Sequence, residues 1–304
     1  LAFRKALTFT PIRQAGIPLA IFIYTFASLA FAWTSSFNNH SLAGSSLMIA
    51  FFFYLKGKHQ DVKPALLWSG LFFGLAASMD MPTTIFLLGF GLLVAHKWRI
   101  TAPTRLFMAG ALIPLTIHFV VNYSIGGTFL PLQLNPQFFE FDGSVWTGSK
   151  TLSGVSMNTP LFTIQYAFIS LFGFKGFIWY NPLLLFLVPL VIRNVRHGKE
   201  FQLETLIILF GSIVLMSYYW LFSSNYGGWS YSIRWFVPIL PLFFFYLFEY
   251  EYETDWRGEK PIFWALVICS VIIAGIGLIN PWSNQDLHGV PIIANLKQLW
   301  VILS

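Results

Sequence analysis

Basic residues recur along this chain at a spacing that a serially membrane-crossing fold explains directly. Fourteen of the eighteen Lys and Arg residues fall in five short stretches, 4–13, 56–63, 97–105, 193–199 and 257–260, and two apolar runs separate each stretch from the next. Cytoplasmic connections of membrane proteins carry an excess of Lys and Arg, so paired crossings between basic stretches keep all five on the inner side. The remaining four, Lys150, Lys175, Arg234 and Lys297, then fall outside.

With 56% hydrophobic, 19% aromatic and 10% charged residues, the chain is far from a soluble domain, which carries about 25% charge. The net charge of +6 does not imply a nucleic-acid partner, because the basic residues lie in the connections rather than on one face. Cys269 is the sole cysteine and sits inside an apolar run, which excludes an internal disulfide and a thiolate metal cluster. No secretory signal pattern is present, and a first residue of Leu1 rather than Met leads us to expect an internal position of a longer protein.

The pattern predicts an all-α polytopic transmembrane bundle, one membrane domain over 1–304. Nine spans are expected, at 17–33, 41–55, 65–79, 82–95, 107–122, 177–192, 203–221, 235–250 and 261–280. The first residues start in the cytoplasm, and the odd count puts 281–304 outside. Residues 65–95 are read as a helical hairpin with Asp80 at its outer tip, because a single crossing would put two basic stretches on opposite sides. Its arms are short for full crossings, so the tip is expected within the outer leaflet, packed against protein or water. The segment 123–176 is a long outer loop, acidic and aromatic at Phe138-Phe-Glu-Phe-Asp142 and Ser/Thr/Gly-rich through Gly154. Its residues 160–174 suggest a helix lying on the outer surface.

Polar groups converge on the outer face: His40 before the second span, Asp80 at the hairpin tip, Lys175 before the sixth and Arg234 before the eighth. Each has an ordinary reading beside a functional one. Asp80 caps the helix that starts beside Pro82, or it binds a hydroxyl or cation. Arg234 snorkels to the interface, or it grips a phosphate bidentately. Lys175 is an interfacial lysine or a second phosphate ligand. His40 is a solvated loop residue or a substrate contact. Trp179, Tyr180, Trp229 and Tyr231 suit an aromatic belt as well as a sugar platform. Glu249, Glu251, Glu253 and Asp255 read as a solvated acidic face, and Asn122-Tyr-Ser matches a glycosylation sequon. No His/Cys/carboxylate cluster has metal-ligand spacing, and no phosphate-cradling Gly-rich loop or GxSxG elbow occurs. Nucleotide hydrolysis and hydride transfer therefore have no support, and no cofactor is expected; dependence on a divalent metal stays open. The absence of charge in mid-span counts against an ion-coupled transporter.

Four outer segments together resemble the GT-C class of integral-membrane glycosyltransferases, in particular prokaryotic relatives of dolichyl-phosphate-mannose protein mannosyltransferases and of the aminoarabinose transferase. They are Trp33-Thr-Ser-Ser-Phe-Asn-Asn-His-Ser-Leu-Ala43, Gly74-Leu-Ala-Ala-Ser-Met-Asp-Met-Pro82, the stretch from Phe168 ending Gly176-Phe-Ile-Trp-Tyr-Asn-Pro182, and Tyr226-Gly-Gly-Trp-Ser-Tyr-Ser-Ile-Arg-Trp-Phe-Val-Pro238. The last is similar to a Tyr-Gly-Gly-Trp-Ser-Tyr-Gly-Pro-Arg pattern. Lys175, Asn181 and Met81 stand where the class has Arg, Ser and an aromatic residue.

The resemblance implies a multi-pass protein of the plasma (inner) membrane. It would transfer a sugar from a polyprenyl-phosphate carrier to a lipid, glycan or protein acceptor on the outer face. It implies Arg234 and Lys175 as ligands of the donor phosphate, with His40, Tyr180, Asn181, Tyr226, Trp229 and Tyr231 as substrate contacts. Asp80 takes an auxiliary catalytic role. The class carries its principal acid on a first outer loop, whereas the first outer stretch here, 34–40, has no acid; this again suggests an N-terminally truncated sequence, not active alone. Two rivals remain: a lipid-linked saccharide flippase or other transporter, and a non-catalytic subunit that binds the lipid carrier.

Overall fold

In lipid every backbone N–H and C=O must find its partner within the segment, which favours helices over open strands. The computed structural model describes residues 1–144, 157–196, 200–247, 260–283 and 289–304, and among the described residues every regular element is helical. In chain order these are α1 (Ala2–Leu7), α2 (Gly16–Phe26), α3 (Leu29–Ala32), α4 (Asn39–Gln60), α5 (Ala65–Met79), α6 (Thr84–Trp98), α7 (Ala102–Gly126) and α8 (Pro160–Phe172). There follow α9 (Leu184–Arg196), α10 (Gln202–Phe222), α11 (Leu240–Phe244), α12 (Lys260–Ile279) and α13 (Pro291–Leu303). Short 3-10 turns lie at Trp33–Ser35, Met81–Thr83 and Arg234–Ile239. Among the described residues three helices, α7, α10 and α12, are long and apolar enough to cross a membrane, or four if α2 with α3 and the turn after it, bent by 55°, is one span, against the nine spans expected.

Several elements match the expected spans closely: α5 covers 65–79, α10 covers 203–221 and α12 covers 261–280 to within a residue or two, and α8 is the helix expected near 160–174. Others differ. Residues 17–33 break at Ala27 and Ser28; residues 177–183 are turns rather than the first half of a span. The stretch at 235–250 begins as a 3-10 turn around Pro238 and continues as the short α11. Helix α13 was not anticipated in the C-terminal segment 281–304. The Ser/Thr/Gly-rich stretch at 145–156, residues 197–199 of the fourth basic stretch, and the acidic run with Arg257 at 248–259 lie outside the described residues.

The tightest helix pair is α5 with α7. Gly70 and Gly74 on α5 and Gly110 on α7 let the backbones meet: a Cβ at Gly70 would overlap the carbonyl of Phe107, and one at Gly110 that of Leu67. Glycines four apart are the small-residue signature of close helix contact in membranes, and Gly70-Leu-Phe-Phe-Gly74 carries it. Helix α4 packs on the other side of α5. The fully buried Phe51, Phe73 and Phe90 interlock there, with Phe73 and Phe90 stacked at 4.8 Å and Phe51 edge-on to Phe90 at 5.6 Å.

The break in the first expected span has a specific acceptor. Leu29 N–H, freed where the helix bends, donates to Asn181 Oδ1 at 2.8 Å, and Asn181 Nδ2 donates to Phe177 O at 3.0 Å. A buried amide thus closes the break, as irregular backbone at membrane depth requires. At the far end of the chain, Asn295 on α13 donates to Ile276 O and Asn280 O, both at 2.9 Å, and fastens α13 to the end of α12.

Candidate functional site

Three elements meet at one end of the helical bundle. Helix α4 begins there, capped by Asn38, whose side chain accepts from Ser41 N at 2.9 Å. The α5–α6 hairpin turns there at Asp80, and α10 ends there. His40 Nδ1 lies 2.9 Å from Asp80 Oδ2, and Tyr219 Oη donates to Asp80 Oδ1 at 2.9 Å. All three side chains are buried. Asp80 N donates to Ala76 O, and Thr83 N and Oγ1 both donate to Asp80 O. The carboxylate is therefore not the cap expected of it: its oxygens face His40 and Tyr219 instead.

Tyr219 links Asp80 to the neighbourhood of Arg234. Its ring stacks on Trp235 at 4.4 Å and 12°. The neighbouring Arg234 holds its guanidinium 4.8 Å from the ring centre of Trp282. Trp282 Nε1 donates to Ser36 Oγ at 2.7 Å, and the Trp33 ring stands edge-on to Trp282 at 5.1 Å. Arg234 is half-buried, and its Nε has no hydrogen-bond partner among the described residues. Buried N–H donors are nearly always paired in folded proteins, and this one is an exception among the described residues. A cleft of about 340 Å³ is lined by Phe31, Trp33, Thr34, Ser36, Ser41 and Val237 among others; Arg234, His40, Asp80 and Tyr219 do not line it, and Trp33 and Ser36, which both contact Trp282, connect it to the cluster. Its hydroxyls and aromatic faces suit a ligand with both polar and apolar parts.

Lys175 is 1% exposed and points into the loop 223–233 rather than toward the cleft. Its ammonium donates to Tyr226 O at 3.0 Å, to Ser230 Oγ at 3.2 Å and to Gly228 O. All three acceptors lie on the loop, so the ammonium is engaged from inside it. Lys175 and Arg234 thus occupy different positions: the first inside the loop, the second at its end.

The expected substrate contacts divide in the same way. Tyr226 is half-buried, stacked on Tyr166 at 4.5 Å and 10°, and burial raises its phenol pKa. Trp229 is 55% exposed on the loop. Tyr231 is fully buried and donates to Ile273 O at 2.7 Å. Tyr180 is buried, donates to Phe174 O at 3.1 Å and accepts from Ile292 N at 3.2 Å. Asn181 closes the broken span. These last three hold the fold, and the structure brings none of them to the cleft. Tyr219, Trp235 and Trp282 were not anticipated. The only hint is their place among the aromatic residues expected at an interface, and nothing in the sequence says which of them reaches Asp80.

A second polar cluster sits at the opposite end of α4 and α10. The buried Glu204 accepts from Tyr54 Oη at 2.7 Å and from Lys58 Nζ at 2.6 Å. No group of three or more His, Cys, Asp or Glu side chains suited to a metal ion occurs among the described residues. The chain matches no protein-family model, no curated protein and no solved structure.

Proposed function

We propose that the cluster of His40, Asp80, Tyr219 and Arg234 serves a polyprenyl-phosphate-dependent glycosyltransferase of the GT-C type. In this reading the site faces the outer side of the plasma membrane. The chain crosses nine times, with the 15-residue α5 and α6 as short crossings of about 22 Å each, accommodated by a locally thinned bilayer. An acceptor hydroxyl oxygen attacks the anomeric carbon of the carried sugar, the bond from that carbon to the phosphate oxygen breaks, and the polyprenyl phosphate leaves with the electron pair. The hydroxyl proton passes to a base.

The observation that carries the reading is Arg234: a half-buried guanidinium, seated on Trp282, with a buried Nε that lacks a partner among the described residues. A fixed cation in a partly dry site stabilises negative charge as it develops on a leaving phosphate. The order of the four sequence segments that resemble the class is the second support. Asp80 is assigned the auxiliary role, with His40 and Tyr219 holding it, and the principal base is not assigned to a residue described here. The test is a membrane assay with a labelled polyprenyl-phosphate sugar, in which Arg234→Ala abolishes transfer; unchanged transfer sinks the phosphate role.

One observation favours a second reading, that of a subunit which binds the lipid carrier without catalysis. Both oxygens of Asp80 are engaged in a buried cluster, which suits structure as well as chemistry. That reading expects binding of polyprenyl phosphate dependent on Arg234, and no transfer from any donor.

A further inference from the structure

We infer that Lys175 is a positioning residue: it organises the loop 223–233 from inside and so sets the place of Arg234. The inference rests on the reading of Arg234 as the phosphate ligand, and it gives Lys175 a task different from a second contact to the same phosphate.

The argument follows the hydrogen bonds outward from the ammonium. Nζ donates to the carbonyls of Tyr226 and Gly228, which bracket Gly227. Two carbonyls so close in sequence turn toward one cation because Gly227 and Gly228 take positive φ, at 84° and 65°, a region that glycine enters without steric cost. The Asn225 side chain holds the same turn from its other side by accepting from Gly227 N at 3.0 Å and Gly228 N at 3.1 Å. Nζ also donates to Ser230 Oγ, whose own proton is then directed to Ser232 O at 2.8 Å. Ser232 returns to the source: its Oγ donates to Lys175 O at 3.0 Å. Ser232 is thereby pinned at two points, at a φ of 68° that a non-glycine residue rarely adopts. Two residues later comes Arg234. Its stem lies near the loop: a Cβ added at Gly227 would meet Arg234 Cγ at 3.5 Å.

A buried cation among carbonyl oxygens acts like the ion at the centre of a binding loop. Removing it leaves acceptors that were turned inward facing one another without a donor, at a cost larger than the hydrogen bonds themselves. The loop then opens, and the guanidinium at its end loses its seat on Trp282. A direct phosphate ligand behaves differently, since its loss leaves the loop and Arg234 where they were.

The test compares Lys175→Met, Arg234→Ala and the double variant of the purified membrane protein in lipid nanodiscs, with polyprenyl phosphate as the probe. Positioning predicts that Lys175→Met weakens binding about tenfold and that the double variant binds no more weakly than Arg234→Ala alone, because the two substitutions remove one interaction. A double variant weaker than Arg234→Ala by the full Lys175→Met factor overturns the inference and makes Lys175 an independent ligand. Hydrogen exchange across 225–232 is the measurement free of any ligand. Lys175→Met should speed exchange there at least tenfold while α5 and α7 stay protected, and an unchanged loop overturns the inference. If Arg234→Ala itself leaves binding unchanged, the phosphate reading fails, and the exchange experiment still decides whether Lys175 holds the loop.

Discussion

Tyr219 Oη donates to Asp80 Oδ1 at 2.9 Å across 139 residues of sequence, joining the end of α10 to the tip of the α5–α6 hairpin. The hydroxyl also sits at the centre of the candidate site, because the same ring stacks on Trp235 next to Arg234.

Replacing Tyr219 with Phe keeps the ring stack and removes only the hydroxyl. A hydrogen bond to a carboxylate that stays buried is worth about 1.5–3 kcal/mol, so thermal unfolding in detergent should show a loss in that range. Tyr218→Phe on the same helix is the control, and an equal loss there would argue against a special place for Tyr219.

The glycines between α5 and α7 predict a sharper effect. An added methyl at Gly70 meets backbone, not a movable side chain, so Gly70→Ala must push the helices apart. The expected loss is about 1–3 kcal/mol, the usual range for overpacking. Gly275 on α12 has nothing within 4 Å of its would-be Cβ, and Gly275→Ala should be neutral or gain up to about 1 kcal/mol from helix propensity.

These helices indicate how far the sequence could be read. The lengths of α5, α10 and α12 follow from uninterrupted apolar runs bounded by charge or by Asp80, and the basic ladder kept them apart. The break at Ser28 escaped notice because its cause, the Asn181 side chain, lies 152 residues away along the chain from Leu29. For the site, His40, Asp80 and Arg234 were visible as polar residues at helix ends on one side. Lys175 looked the same, yet its role depends on where the glycine loop turns its carbonyls, which composition does not reveal. Tyr219 was hidden among ordinary interfacial aromatics.

The polar clamp at the other end of α4 and α10 predicts an asymmetry. The side chain of Glu204 is 2% exposed and that of Lys58 20%. After Glu204→Gln the lysine can swing toward water, whereas after Lys58→Met the carboxylate stays buried with only Tyr54. Breaking a buried pair so that one charge is left uncompensated costs about 3–5 kcal/mol. Lys58→Met should therefore destabilise by about 3 kcal/mol in chemical denaturation, and Glu204→Gln by clearly less; the reverse order would refute this account of the clamp.

Acid should loosen the same end. Burial lowers the pKa of His59 below its usual 6.5, Lys58 and Lys97 push the same way, and Glu200 and Glu204 oppose them. The folded protein then binds fewer protons than the unfolded chain in this range. Its contribution to stability is complete above about pH 6.5 and is lost as pH falls through the lower folded value. Melting temperature measured from pH 8 to 5 should fall less in His59→Gln than in the unaltered protein; parallel curves would remove His59 from the explanation.

The central claim is that Arg234 receives the phosphate of a polyprenyl-linked sugar. The most direct measurement is transfer from labelled polyprenyl-phosphate sugar in membranes carrying the protein, with and without Arg234→Ala, at equal amounts of folded protein. The account predicts transfer by the unaltered protein and a loss of at least a hundredfold, about 2.7 kcal/mol of transition-state stabilisation, in the variant. Equal transfer by both would contradict it.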